Sequence, residues 1–159
     1  MILRKNMENV LNFDQSHNST NPEDIQAIIA GSIKEQAIFL SNILFKRKYL
    51  KQKINLQGKY WNDDKYRKEF QFYIMKSLPL VKRYGFQAIY NVLQTKKGQN
   101  VWSPNCSWMI PDFEKEKARL HNQKLLAETQ KTTIMKVEES LPIFKINKEE
   151  KINRLDNLD

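Results

Sequence analysis

Fourteen Lys and Arg residues lie between Lys46 and Lys97, against three acids, Asp63, Asp64 and Glu69, a net of +11. Residues 1–45 carry −2 and residues 98–159 balance, so the whole net charge of +9 comes from one third of the chain. Aromatic residues are threaded through the same stretch: Trp61, Phe70, Phe72, Tyr73, Tyr84, Phe86 and Tyr90. Cations neutralise phosphates and aromatic faces stack on bases, so the pattern points to a polyanion, nucleic acid first. The candidate DNA contacts are Lys46, Arg47, Lys48, Lys51, Lys53, Lys59, Arg67, Lys82, Arg83, Lys96, Lys97, Gln99 and Asn100. Lys46 to Lys53 fits a second reading equally well, the cationic end of a helix on a solvated face. Helical spacing assigns most of the aromatics to a core, and Phe72 and Tyr90 are the candidates for exposure to bases.

Catalytic chemistry has little to work with. His17 falls in a polar arm and His121 in a charged helix, neither beside a nucleophile. Cys106 has Ser and Trp as neighbours and no evident base, which describes a packed thiol. Asp63 and Asp64 suit a helix start better than an acid pair. Four scattered glycines build no phosphate loop, and no ligand set has metal spacing. The expectation is a protein that is not an enzyme, with no cofactor and no metal.

The elements that carry these residues follow from periodicity. Residues 1–20 read as a flexible arm. Asn21-Pro22-Glu23-Asp24 reads as a helix start, and the apolar spacing that follows predicts one long amphipathic helix over 22–53, with Gly31 as the point where it can kink. Such a helix is longer than a small core needs, so part of its stripe is expected on a partner. Asn62 and the two acids after it open a second helix, which Pro79 either ends or restarts as a new turn with Ser77 as its cap, Leu80, Val81 and Tyr84 continuing a short helical piece up to Gly85. Gly85 is a C-terminal stop. Phe86 to Leu93 forms a further helix, and the stretch to Trp102 a turn and one short helix limited by Pro104. Residues 104–131 read as an apolar loop and a charged helix, with Trp108, Met109 and Ile110 too apolar to stand in water alone. Residues 132–159 read as a docking tail in which 141–146 is an extended apolar segment. One cysteine suggests a reducing compartment. No apolar run is long enough for a membrane span, and the first residues do not have the form of a secretory signal.

Three stretches within 59–102 carry a resemblance. They are Tyr60-Trp61-Asn62-Asp63-Asp64 followed by Phe70, Tyr84-Gly85-Phe86-Gln87-Ala88-Ile89, and Thr95-Lys96-Lys97-Gly98-Gln99-Asn100-Val101. Together they resemble the Myb/SANT class of homeobox-like, three-helix DNA-binding domains. The resemblance implies a core of Trp61, Phe70, Ile74, Phe86 and Ile89, with Lys96, Lys97, Gln99 and Asn100 presented by a recognition helix. The chain departs from the pattern in three places: a longer first spacing that contains Pro79, Phe86 where a second Trp is usual, and Pro104 cutting the last helix. In size and basic centre the chain also resembles the small homeobox-like proteins that accompany the ciliate DNA adenine methyltransferase. The Asp-Pro-Pro-Trp signature of the catalytic subunits is absent.

The fold class expected is mainly α: a long N-terminal amphipathic helix over 21–55, a homeobox-like three-helix module over 56–103, a C-terminal helix and an extended tail. The function expected is a nuclear accessory subunit. It would bind duplex DNA through its basic module and partner proteins through the 22–53 helix and the 141–146 segment. The rival is a structural subunit of a ribosomal, mitochondrial or microtubule-associated assembly that binds no DNA.

Overall fold

A computed structural model describes residues 22–140, with side chains over 23–135. The arm over 1–20 and the 141–146 segment lie outside the described residues. Those described are mainly helical and contain no strand. Five α-helices are described: α1 (Pro22–Ala30), α2 (Ile33–Lys51), α3 (Asp64–Tyr84), α4 (Phe86–Gln94) and α5 (Ile110–Ser140). Single 3-10 turns occupy Tyr60–Asn62, Gly98–Asn100 and Ser107–Met109. The chain divides into two units at His121 and Asn122, within α5.

The long helix expected over 22–53 is two helices. Ser32 caps α2 with extended backbone (φ −69°, ψ 156°), its hydroxyl accepting from Glu35 N at 3.3 Å. Glu35 Oε2 returns the bond by accepting from Ser32 N at 2.7 Å, which completes a capping box. Gln36 Nε2 then donates to the carbonyls of Ile28, Ile29 and Gly31 at the end of α1, the first of which also accepts from Gly31 N. A Ser-x-x-Glu cap outweighs continued apolar periodicity because it satisfies the backbone on both sides of the break.

Helix α2 lies inside the core. Ala37 to Asn42, Leu44, Phe45 and Tyr49 are buried, whereas Ile33 and Leu50 near its two ends are exposed. Phe45, fully enclosed, is the hub of an aromatic cluster. Tyr49, Tyr60, Phe70 and Tyr73 have ring centroids 4.9–5.6 Å from it, three of the four tilted or edge-on and Tyr60 stacked. Ser41 and Ser77, both fully buried, let α2 and α3 approach, with Ser41 Oγ 3.0 Å from Ser77 Oγ. Trp61, Phe70, Ile74, Phe86 and Ile89 are all buried.

Helix α3 does not stop at Pro79 but runs on to Tyr84. The proline sits on the exposed side, where a carbonyl deprived of its helical partner is open to water. Asp63 caps the helix by accepting from Lys65 N at 2.9 Å. Gly85 ends it with φ 83°, a left-handed conformation that glycine adopts without a Cβ penalty, and α4 starts at once. The first three turns of α5 belong to the same core. Phe113 is buried and lies 5.7 Å from the Tyr84 ring, Asn91 donates to Glu116 at 2.8 Å, and Lys117 Nζ donates to Arg83 O at 2.6 Å.

Residues 122–140 are helical throughout. Leu125, Leu126, Ile134 and Met135 are exposed.

Candidate nucleic-acid interface

The structure separates the thirteen expected contacts into those already engaged within the chain and those facing outward. Arg47 is engaged. Its guanidinium, half-buried, donates to Gly98 O at 2.9 Å, Leu93 O at 3.1 Å and Val101 O at 3.3 Å. Burial lowers its pKa against the raising effect of Tyr90. Arg47 thus clamps the turn that follows α4. Lys48 pairs with Glu69, which also accepts from Tyr49 Oη at 2.8 Å. Burial pushes the Glu69 carboxyl up, but the hydrogen bonds from Lys48 and Tyr49 and the Lys48 charge outweigh it and leave it below its ordinary range. The same site raises the Tyr49 phenol, by burial first and then by Glu69.

Other candidates are held more loosely. Arg67 Nη1 meets Asp64 at 2.7 Å and its Nη2 donates to Asn62 O. Lys97 pairs with Asp112, and Arg83 lies 3.7 Å from Glu114. Lys51 Nζ donates to Asn100 O at 3.3 Å. Exposed pairs of this kind are worth roughly 0–1 kcal/mol, so an incoming phosphate can replace them. Lys53, Lys59, Lys82 and Lys96 are exposed and Lys46 is half-buried.

The expected recognition helix is one 3-10 turn, Gly98–Asn100. Thr95 Oγ1 donates to Val92 O at 2.7 Å and accepts from Gly98 N at 3.0 Å, folding the chain back onto the end of α4. A Cβ at Gly98 would stand 1.9 Å from Val92 O, so only glycine fits this approach. Gln99 and Asn100 are exposed, but their amides donate to Gln94 O and Lys96 O within the turn. A recognition helix cannot form where the backbone is pinned to the preceding helix by its own glycine and by Arg47.

The most one-sided cationic surface lies instead on α3. At 3.6 residues per turn, Lys65, Lys68, Phe72, Met75, Lys76, Pro79, Lys82 and Arg83 fall within an arc of about 120°. All eight are exposed. The opposite arc holds the buried set Phe70, Tyr73, Ile74, Ser77, Val81 and Tyr84. Lys65, Lys68 and Lys76 were not among the sequence candidates, although the helical period that assigned the core side of α3 also placed them together on the other side. Phe72 is 43% exposed, as expected, with Lys76 Nζ 5.5 Å from its ring centre. Tyr90 is not available for stacking: it is buried, and its ring lies 5.7 Å from Phe86.

Cys106 is buried, and burial raises its thiol pKa. His121 is exposed beside Arg83 and Glu114 in a shallow hollow. Among the described residues no group of three or more His, Cys, Asp or Glu is placed to hold a metal, and no helix is long and apolar enough to cross a membrane. Comparison of the chain with protein-family models, curated proteins and solved structures finds no match.

Proposed function

We propose that this protein is a non-catalytic accessory subunit that binds the phosphate backbone of duplex DNA through the outward face of α3. The observation that carries this reading is the segregation of Lys65, Lys68, Lys76 and Lys82 onto one exposed arc. The acids nearest that arc are already engaged within the chain: Asp64 with Arg67, Glu69 with Lys48, and Glu114 with Arg83. From Lys65 to Lys82 the helix rises about 26 Å, over which duplex DNA presents about fifteen backbone charges. Four flexible lysines therefore find phosphates without any demand for base sequence, so binding is backbone-led and weakly selective. The homeobox-like resemblance enters in reduced form. Its first two helices correspond to α3 and α4, but DNA would meet the first of them rather than a recognition helix. Work in a nuclear complex, such as one built around a DNA adenine methyltransferase, belongs to the same proposal.

One observation favours the rival class. Phe72 and Met75, the latter 72% exposed, sit in the middle of the arc and would suit an acidic protein surface with apolar spots. The two readings separate by fluorescence anisotropy of a labelled duplex at low salt. Under the DNA reading the protein binds, and a variant with Lys65, Lys68, Lys76 and Lys82 all changed to Gln keeps its helical circular dichroism and loses binding. Unaltered binding by that variant removes α3 from the interface, and no binding by the native protein leaves the structural-subunit reading.

A further inference from the structure

Two of the three tryptophans stand in solvent around one cleft. Trp102 is 42% exposed and Trp108 is 53% exposed, whereas Trp61 is buried. The cleft between them has a volume of about 210 Å³, and Asn100, Ser103 and Asn105 share its lining, with Cys106 buried at its side. Exposed indoles are usually explained by mobile loops, but this loop is anchored at many points. Val101, Pro104, Cys106 and Met109 are buried. Arg47 holds Val101 O, Tyr73 Oη donates to Trp102 O at 3.1 Å, and Met109 N donates to Cys106 O at 2.8 Å. The backbone is fixed to the core while the ring systems are left outside. Such a platform has lost its conformational freedom on folding and need not lose it again on binding.

The chemistry around the rings selects the ligand. Lys51 Nζ lies 5.7 Å from the Trp102 ring centre and Lys97 Nζ 5.6 Å from that of Trp108. Cations already face both indoles, so a methylammonium or other cationic ligand would meet like charge. A ligand that is flat, aromatic and anionic satisfies every group at once: indoles for its faces, amides and a hydroxyl for its edges, lysines for its phosphate. The cleft is smaller than the roughly 300–1,000 Å³ that takes drug-sized molecules, and so has room for a single base.

We infer that the Trp102–Trp108 cleft is a stacking site for one unpaired nucleotide of a bound nucleic acid. This rests on the DNA-binding reading and adds to it a preference for strands with an unstacked base. Lys97 would then exchange Asp112 for a phosphate, and Lys51 would follow the strand from the Trp102 side. Asn100, Val101 and Trp102 of this site fall in the stretch where the homeobox-like resemblance implies a recognition helix, but the contact is stacking rather than groove reading.

The test uses the full chain and its W102L/W108L variant, which keeps apolar bulk and loses the indoles. Binding is measured to a paired 20-base-pair duplex and to the same duplex with one unpaired adenosine. The expected result is tighter binding of the bulged duplex by roughly five- to hundredfold, the range of one base stacked on an aromatic. That gain should vanish in W102L/W108L while affinity for the paired duplex changes less than about twofold. Equal binding of the two duplexes by the native protein overturns the inference but leaves the α3 reading standing. Titration with adenosine monophosphate separates the reverse case. Quenching of tryptophan fluorescence that is lost in W102L/W108L supports the cleft even if duplex binding fails. Quenching by a proline-rich peptide and not by the nucleotide assigns the cleft to a protein partner and sinks the proposal.

Discussion

Replacing Arg47 by Met tests whether the basic segment is a single binding surface or two kinds of residue with different work. The substitution keeps the aliphatic stem and removes the guanidinium. Three carbonyls then lose a charged donor, two of them at 2.9 and 3.1 Å and one at a marginal 3.3 Å. A hydrogen bond to a charged group contributes about 1.5–3 kcal/mol net. Two good bonds set an upper limit near 6 kcal/mol, from which the recovered desolvation of a half-buried cation and partial access of water to the carbonyls must be subtracted. We expect a loss of about 2–4 kcal/mol, read as a lower urea midpoint with unchanged m-value. The same protein, assayed where it is folded, should keep the native salt dependence of DNA binding. A variant of native stability whose log–log salt slope falls by about 0.9 would instead put the Arg47 guanidinium on a phosphate, and the structural reading of the clamp would be wrong.

Further expectations concern single positions. Gly98→Ala pushes a methyl group to 1.9 Å from Val92 O, and thermal unfolding should register a loss of about 3 kcal/mol or more. Lys53 follows α2 with φ 61°; Lys53→Gly relieves a left-handed lysine and should stabilise by about 0.5–1 kcal/mol in urea titration, whereas a loss there would mean that the lysine side chain makes a stabilising contact. Glu69 is held below its ordinary value of 4.5 in the folded state, so its contribution is present above that value and is lost as pH falls through the lowered one. Glu69→Gln should flatten the acid limb of the stability–pH curve. Tyr73 is pushed up to about 12, by burial first and then by the Glu69 charge. Its contribution is therefore full below its ordinary value of 10 and falls as pH rises from there to about 12. Tyr73→Phe should remove that part of the alkaline loss, and an unchanged alkaline limb would contradict the assignment.

How much of this was legible in the sequence differs from element to element. The buried side of α3 was read directly, because one helix face against one core produces a clean 3–4 spacing. The break between α1 and α2 was also written in the chain, as Ser32 and Glu35, but apolar periodicity on both sides concealed it. The depth of α2 was not readable: over residues 37–45 almost every side chain is buried, so that stretch has no polar face to report its orientation. The fate of Arg47 was hidden for a different reason. Its acceptors are backbone carbonyls 46–54 residues away, and carbonyls carry no sequence signature. The exposed tryptophans ran against composition, since Trp108 beside Met109 and Ile110 reads as core. Only the fold separates Met109, fully buried, from its outward-facing neighbour.

On the proposed reading the lysines of α3 deliver most of the charge to the backbone of paired DNA, and Lys97 in the turn after α4 adds a contact only where a base is unpaired. The most direct measurement is the dependence of the duplex association constant on salt, for the native protein and for the variant with Lys65, Lys68, Lys76 and Lys82 changed to Gln. If all four lysines meet phosphates, the log–log slope should become shallower by about 3.6. Changing Lys96 and Lys97 to Gln should shift it by less than that. Equal slopes for native and α3-variant protein, with a large drop on changing Lys96 and Lys97, would place the interface on the turn and contradict the account.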